Sequence, residues 1–124
     1  MAQWKYELGR GRLPVDTARQ ELANVLHEAR SLLALPGNSF DWSWWEDAPA
    51  ALAEVDRLIA ALEAGRFPPR LTVSVLFAPT GPIQEVSLSS GWADEFLALA
   101  RRIDAAVEVA YDSPWWHRLL KRFR

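Results

Sequence analysis

Apolar side chains recur at helical spacing early in the chain. Ala18, Leu22, Val25, Leu26, Ala29 and Leu33 share one face of a period of about 3.6 residues. The pattern predicts a long amphipathic helix after Pro14, capped by Asp16 or Thr17, with Thr17 and Gln20 at capping-box spacing. Pro36-Gly37-Asn38 is its expected stop. A second stripe, Leu52, Val55, Leu58, Ile59 and Leu62, predicts a second helix ending at Gly65. Ser43 and Glu46 also match a capping box, but a helix begun there would drive Pro49 against the Trp45 carbonyl. Asp47 is the better cap, because Pro49 then falls in the first turn.

After Pro68-Pro69 the period changes to two. Leu71, Val73, Val75 and Phe77 alternate with Thr72, Ser74, Leu76 and Ala78, which predicts a β-strand. Pro79-Thr80-Gly81-Pro82 reads as a turn and Ile83–Leu88 as the returning strand of a hairpin. Ser89-Ser90-Gly91 then opens a third helix with the stripe Trp92, Phe96, Leu99, Ala100, Ile103 and Val107. Ser113 and Pro114 start a short last helix. A two-stranded hairpin is marginal alone in water, and the alternation of Trp4, Tyr6 and Leu8 makes residues 3–9 a candidate third strand. The expected fold is therefore a single α+β domain over residues 1–124, in the order (β)-α-α-β-β-α-α. An antiparallel β-hairpin packs against amphipathic helices in that reading.

Composition narrows the function classes. A chain of 124 residues, half of them hydrophobic, can bury one core. It has no Cys, so disulfides, thiolate chemistry and cysteine-built zinc sites are excluded. No apolar run approaches a membrane span of roughly 20 residues, and the start lacks the pattern of a secretory signal. A cytoplasmic location is the simplest expectation.

The net charge of −2 hides an uneven distribution. Residues 1–13 carry +2 and residues 113–124 carry +4, whereas residues 14–112 hold seven Arg against fifteen acids, a charge of −8.

Motifs for catalysis or cofactors are missing. The glycines fit neither the P-loop nor the dinucleotide fingerprint, so no nucleotide cofactor is expected. His27 lies opposite the apolar stripe of its helix and reads as a surface residue, and His117 sits among basic neighbours. Neither has a ligand at i+3 or i+4, so no metal is expected. Ser87, Ser89 and Ser90 lack the G-x-S-x-G context of a nucleophile and are better read as capping residues.

Two segments stand out in a chain with seven Trp. The first holds Phe40, Asp41, Trp42, Trp44, Trp45 and Glu46. Aromatic faces beside carboxylates can hold a cation or stack on a sugar, and paired acids are also the groups of glycoside hydrolysis. The plainer reading is that these Trp side chains plug the gap between two helices while the acids cap the second.

The other segment is 113–124. On a helical wheel Trp115, Trp116, Leu119, Leu120 and Phe123 cover one arc, and His117, Arg118, Lys121, Arg122 and Arg124 the other. Such a basic amphipathic helix docks on its own body, on a protein partner or second copy, or on an anionic membrane. The membrane is the less favoured surface. Nucleic acid is disfavoured, because the acidic body repels a polyanion.

Taken together, these features lean away from an enzyme. They point to a protein that acts through protein–protein contact as an adaptor, regulator or immunity-type inhibitor, since Trp and Arg dominate binding hot spots. The alternative is a small-ligand module built on segment 39–47. Tail contacts in the first reading come from Trp115, Trp116, Arg118, Leu119, Lys121, Arg122 and Phe123.

Overall fold

The computed structural model describes residues 14–112. Five α-helices follow one another: α1 (Pro14–Leu33), α2 (Ala48–Glu63), α3 (Arg70–Leu76), α4 (Pro82–Ser90) and α5 (Ala93–Val107). A π-helical turn, Glu108–Asp112, continues α5. No strand occurs among the described residues, so residues 14–112 form an all-α fold and the expected α+β hairpin is wrong. Both the possible strand at residues 3–9 and the last helix at 113–124 lie outside the described residues.

The two long helices follow their stripes. On α1, Ala18, Leu22, Val25, Leu26, Ala29 and Leu33 are all fully buried. It starts at Pro14, so Asp16 and Thr17 lie inside its first turns instead of capping it. Gly37 at φ +84° lets the chain leave α1, and Asn38 Nδ2 donates to the Leu32 and Leu33 carbonyls at 2.8 and 3.0 Å. Asp47 caps α2, accepting from the Ala50 amide at 3.0 Å, with Pro49 harmless in the first turn.

Residues 71–78 show why the hairpin fails. A strand would bury Leu71, Val73, Val75 and Phe77 together, yet Leu71 is 76% exposed and Val75 is only half-buried. The buried set is Val73, Leu76 and Phe77, spaced i, i+3, i+4. In α4, Ile83, Val86 and Ser87, buried together with Pro82, repeat that spacing. Strand preference describes a fit to a pleated, half-buried surface. Here the surface on offer is the side of a helix bundle, and Phe77 stacks on Phe96 of α5 with centroids 6.4 Å apart.

The turn between these short helices also favours them. Pro82 needs no amide partner at the first position of α4, whereas in a strand it would remove a ladder donor. Gly91, at φ +88°, closes α4 with its amide on the Ser87 carbonyl at 3.0 Å. Ser89 and Ser90 therefore end one helix, where the sequence pattern had them opening the next.

Neighbouring helices run antiparallel to α1. Along α2, Arg30 pairs with Asp56 at 2.5 Å, His27 with Glu63 at 2.9 Å, and Arg19 Nη1 donates to the Leu62 carbonyl at 2.6 Å. Along α5, Arg102 reaches Glu21 at 3.0 Å and Glu28 at 2.8 Å. The C-terminal end of α5 therefore lies beside the start of α1 and the end of α2. There the Tyr111 hydroxyl donates to the Pro68 carbonyl at 2.6 Å, and its ring meets Phe67 edge-on at 5.7 Å.

Two measurements test this packing. A Cβ at Gly81 would sit 2.5 Å from the Val75 carbonyl oxygen and 2.9 Å from that of Ala78. Gly81→Ala should thus lower stability by about 1–3 kcal/mol in urea unfolding; an unchanged midpoint would contradict the close approach. Burial pushes the Tyr111 phenol up to about 12, so the folded state holds its proton after the unfolded chain has lost it. The resulting stability is complete below pH about 10 and is lost as pH rises toward about 12. Tyr111→Phe should flatten that alkaline slope in unfolding midpoints, and an identical slope would count against it.

Candidate functional site

Residues 34–49 join α1 to α2 and form one end of the bundle. The segment is anchored at several points. Trp92 Nε1 donates to Asn38 Oδ1 at 3.0 Å, so the residue that caps α1 also holds the start of α5. The Ser39 amide donates to Ser90 Oγ at 3.0 Å, which ties the segment to the end of α4. Ser43 folds the next turn: its hydroxyl donates to the Phe40 carbonyl at 2.8 Å and accepts from the Trp45 amide at 3.1 Å.

The tryptophans of this segment separate by environment. Trp45 is 5% exposed and belongs to the core, with its indole N–H donating to Glu54 Oε1 of α2 at 2.8 Å. Trp44 meets Trp45 edge-on, with centroids 6.2 Å apart, yet remains 55% exposed. Trp42 is 77% exposed. Phe40 is half-buried and packs against the core. Asp41 and Glu46 are exposed and have no hydrogen-bonding or ionic partner among the described residues, whereas Asp47 is engaged as the α2 cap.

Alongside lies an open groove of about 710 Å³, lined by residues 34–41 and 46–49. Its apolar surface comes from Leu35, Pro36, Phe40 and Pro49, and its carboxylates are Asp41, Glu46 and Asp47. Trp42 and Trp44 stand beside this lining and not within it. Asp94 and Glu95, in the first turn of α5, lie two and three residues after Trp92. No Lys, Arg or His occurs in 31–56 or in 71–100. Among the described residues this end is therefore negative, with two indole faces open to solvent.

Of the sequence candidates, Phe40, Asp41, Trp42, Trp44 and Glu46 come together at this end, while the Trp45 side chain turns inward. The tail candidates Trp115, Trp116, Arg118, Leu119, Lys121, Arg122 and Phe123 lie outside the described residues. Sequence reasoning missed Asn38, Ser90 and Trp92 as the anchors of the segment. The signal for Asn38 was its place directly after the Pro-Gly that ends α1.

Elsewhere, a second cavity of about 380 Å³ lies between α1 and α5, bounded by Leu32, Ala98, Leu99 and the Arg102–Glu28 pair. Arg102 is already held by two carboxylates, which raise its pKa further. Among the described residues no group of three His, Asp or Glu side chains could hold a metal ion, and no helix is long and apolar enough to cross a membrane. In comparisons with protein families, with curated proteins and with solved structures, nothing matches this chain.

The division of the tryptophans is directly testable. Trp45→Ala should cost about 3–5 kcal/mol, by opening a cavity and leaving Glu54 without its donor. Trp42→Ala should stay within about 0.5 kcal/mol. Urea unfolding of both variants checks this, and equal losses would mean that Trp42 also belongs to the core.

Proposed function

We propose that this chain is a non-enzymatic, cytosolic protein that works through protein–protein contact, and that residues 39–47 present the contact surface to a basic partner. The observation that carries this reading is the exposure of Trp42 and Trp44 beside Asp41 and Glu46, which have no partner among the described residues, on a segment held in place by its neighbours. Large exposed aromatics on an ordered surface are typical binding anchors, because little conformational entropy remains to be lost on docking. The surrounding acids would attract and orient a cationic partner.

The alternative, a small cationic or sugar-like ligand held among Trp42, Trp44, Trp45, Asp41 and Glu46, has weaker support. Trp45 is buried, and the groove draws only one aromatic side chain, Phe40, into its lining. A catalytic pair of carboxylates has no further support either, since nothing beside Asp41 or Glu46 sets one apart from the other.

A basic amphipathic peptide without tryptophan tests the proposal when titrated into the full chain. Intrinsic tryptophan fluorescence should change saturably, and binding should weaken about tenfold on raising salt from about 0.05 to about 0.5 M. Asp41→Asn with Glu46→Gln should weaken it by a similar factor, while an acidic peptide of the same length should not bind. Peptide binding that ignores both salt and the double variant would overturn the reading.

A further inference from the structure

The partner of the acidic, tryptophan-bearing end can be sought within the chain itself. Segment 113–124 carries four basic side chains and no acid, together with Trp115, Trp116, Leu119, Leu120 and Phe123. It has the charge and the apolar content that the groove at 34–49 lacks a partner for. The groove offers Asp41 and Glu46, which have no ionic partner among the described residues, an apolar lining that includes Leu35 and Phe40, and two exposed indoles at its side.

Geometry decides whether the two can meet within one molecule. The groove lies at the end of the bundle where Asn38 holds Trp92, just before α5. Segment 113–124 begins after Asp112, at the opposite end of α5 and its π-helical turn. At about 1.5 Å per residue those two ends are roughly 25 Å apart. A fully extended chain gains at most about 3.6 Å per residue, so the Trp116 backbone stays within about 14 Å of Asp112. Lys121 and Arg122 are far enough along the chain to span that distance, but Trp115 and Trp116 are not, so a contact that engages the two tryptophans together with the basic residues requires the groove of another molecule.

We propose that residues 113–124 of one copy dock, through Trp115, Trp116 and the basic residues Arg118, Lys121 and Arg122, on the acidic groove at residues 34–49 of a second copy. This inference rests on the protein-contact reading above and names the partner. The contact joins two different surfaces, so it closes into a ring of two or more copies or extends head to tail. Opposite charge selects the pairing and rejects tail-to-tail and groove-to-groove contacts, which set like charges together.

Light scattering after size exclusion tests the docking on the full chain and on two charge-reversed full-length forms. One carries Asp41→Lys with Glu46→Lys, the other Arg118→Glu with Lys121→Glu. Circular dichroism checks that both keep the helical fold. The wild-type mass should rise with concentration at low salt and fall to the monomer in about 0.5 M salt. Each reversed form alone should remain a monomer. Mixed in equal amounts they should form one-to-one dimers, because one retains a groove and the other a tail.

A wild-type chain that stays monomeric at every concentration would overturn the inference, as would a mixture that does not associate or reversed forms that each still self-associate. If the chain is monomeric but the basic peptide still binds at Asp41 and Glu46, only the self-docking fails. If the peptide does not bind either, the underlying contact reading fails with it.

Discussion

Helix α1 must be covered on two flanks at once, and the rest of the bundle is arranged by that need. Leu22, Val25, Leu26 and Leu33 are fully buried along it, with Ala18, Ala23 and Ala29 between them. Burying a side chain the size of Leu or Val is worth about 1.5–3 kcal/mol, so neither flank can be left open. The small alanines let neighbouring backbones come close. α2 covers one flank and α5 the other, while α3 and α4 pack on α5 and close the core around Phe77, Ile83 and Phe96.

Charge sets how the covering helices are aligned. The flank of α1 that faces α2 carries Arg19, His27 and Arg30, and α2 answers with the Leu62 carbonyl, Glu63 and Asp56. The flank that faces α5 carries Glu21 and Glu28, and α5 answers with Arg102. The exposed pairs, Arg30–Asp56 and His27–Glu63, contribute little stability, at most about 1 kcal/mol each, whereas Arg102–Glu21 is partly buried. They do penalise a parallel or slipped arrangement, which would set Arg30 and Arg102 away from their carboxylates. The hydrogen bond from the Arg30 guanidinium holds the Asp56 carboxyl below its usual range, so that pair persists to lower pH than a free carboxylate would allow.

The antiparallel arrangement also creates the polarity of the molecule. It puts the α1–α2 connection and the start of α5 at one end, with Asp41, Glu46, Asp47, Asp94 and Glu95 on stretches of chain, 31–56 and 71–100, that hold no Lys, Arg or His. At the other end are Tyr111, the loop through Phe67 and Pro68, and the point where the basic segment departs. An indole normally sits where apolar and wet surroundings meet. Trp45 and Trp92 satisfy that preference inside the bundle by giving their N–H groups to Glu54 and Asn38. Trp42 and Trp44 do not, and that difference is what makes this end a contact surface in the reading favoured above.

Much of the helical framework is legible in the residues themselves. A stripe of about 3.6-residue period is long enough in α1, α2 and α5 to leave one way of burying it, and the Asp47 cap and the glycines at 37 and 65 mark boundaries by local chemistry. The charge asymmetry and the unusual aromatic content of 39–47 are likewise plain from the sequence.

The state of residues 70–90 was decided only by tertiary packing. In segments of seven and nine residues a period of two and a period of 3.6 both find matching apolar positions, and β-branched composition tipped the local preference toward strand. As helices packed on α5, α3 and α4 bury Val73, Leu76, Phe77, Ile83 and Val86 together at i, i+3, i+4 spacing, which overrides the local preference. The fates of neighbouring tryptophans were decided in the same way. Trp44 and Trp45 are adjacent and chemically identical, yet the turn folded by Ser43 leaves Trp44 at the surface while Trp45 packs in the core with its N–H on Glu54 of α2.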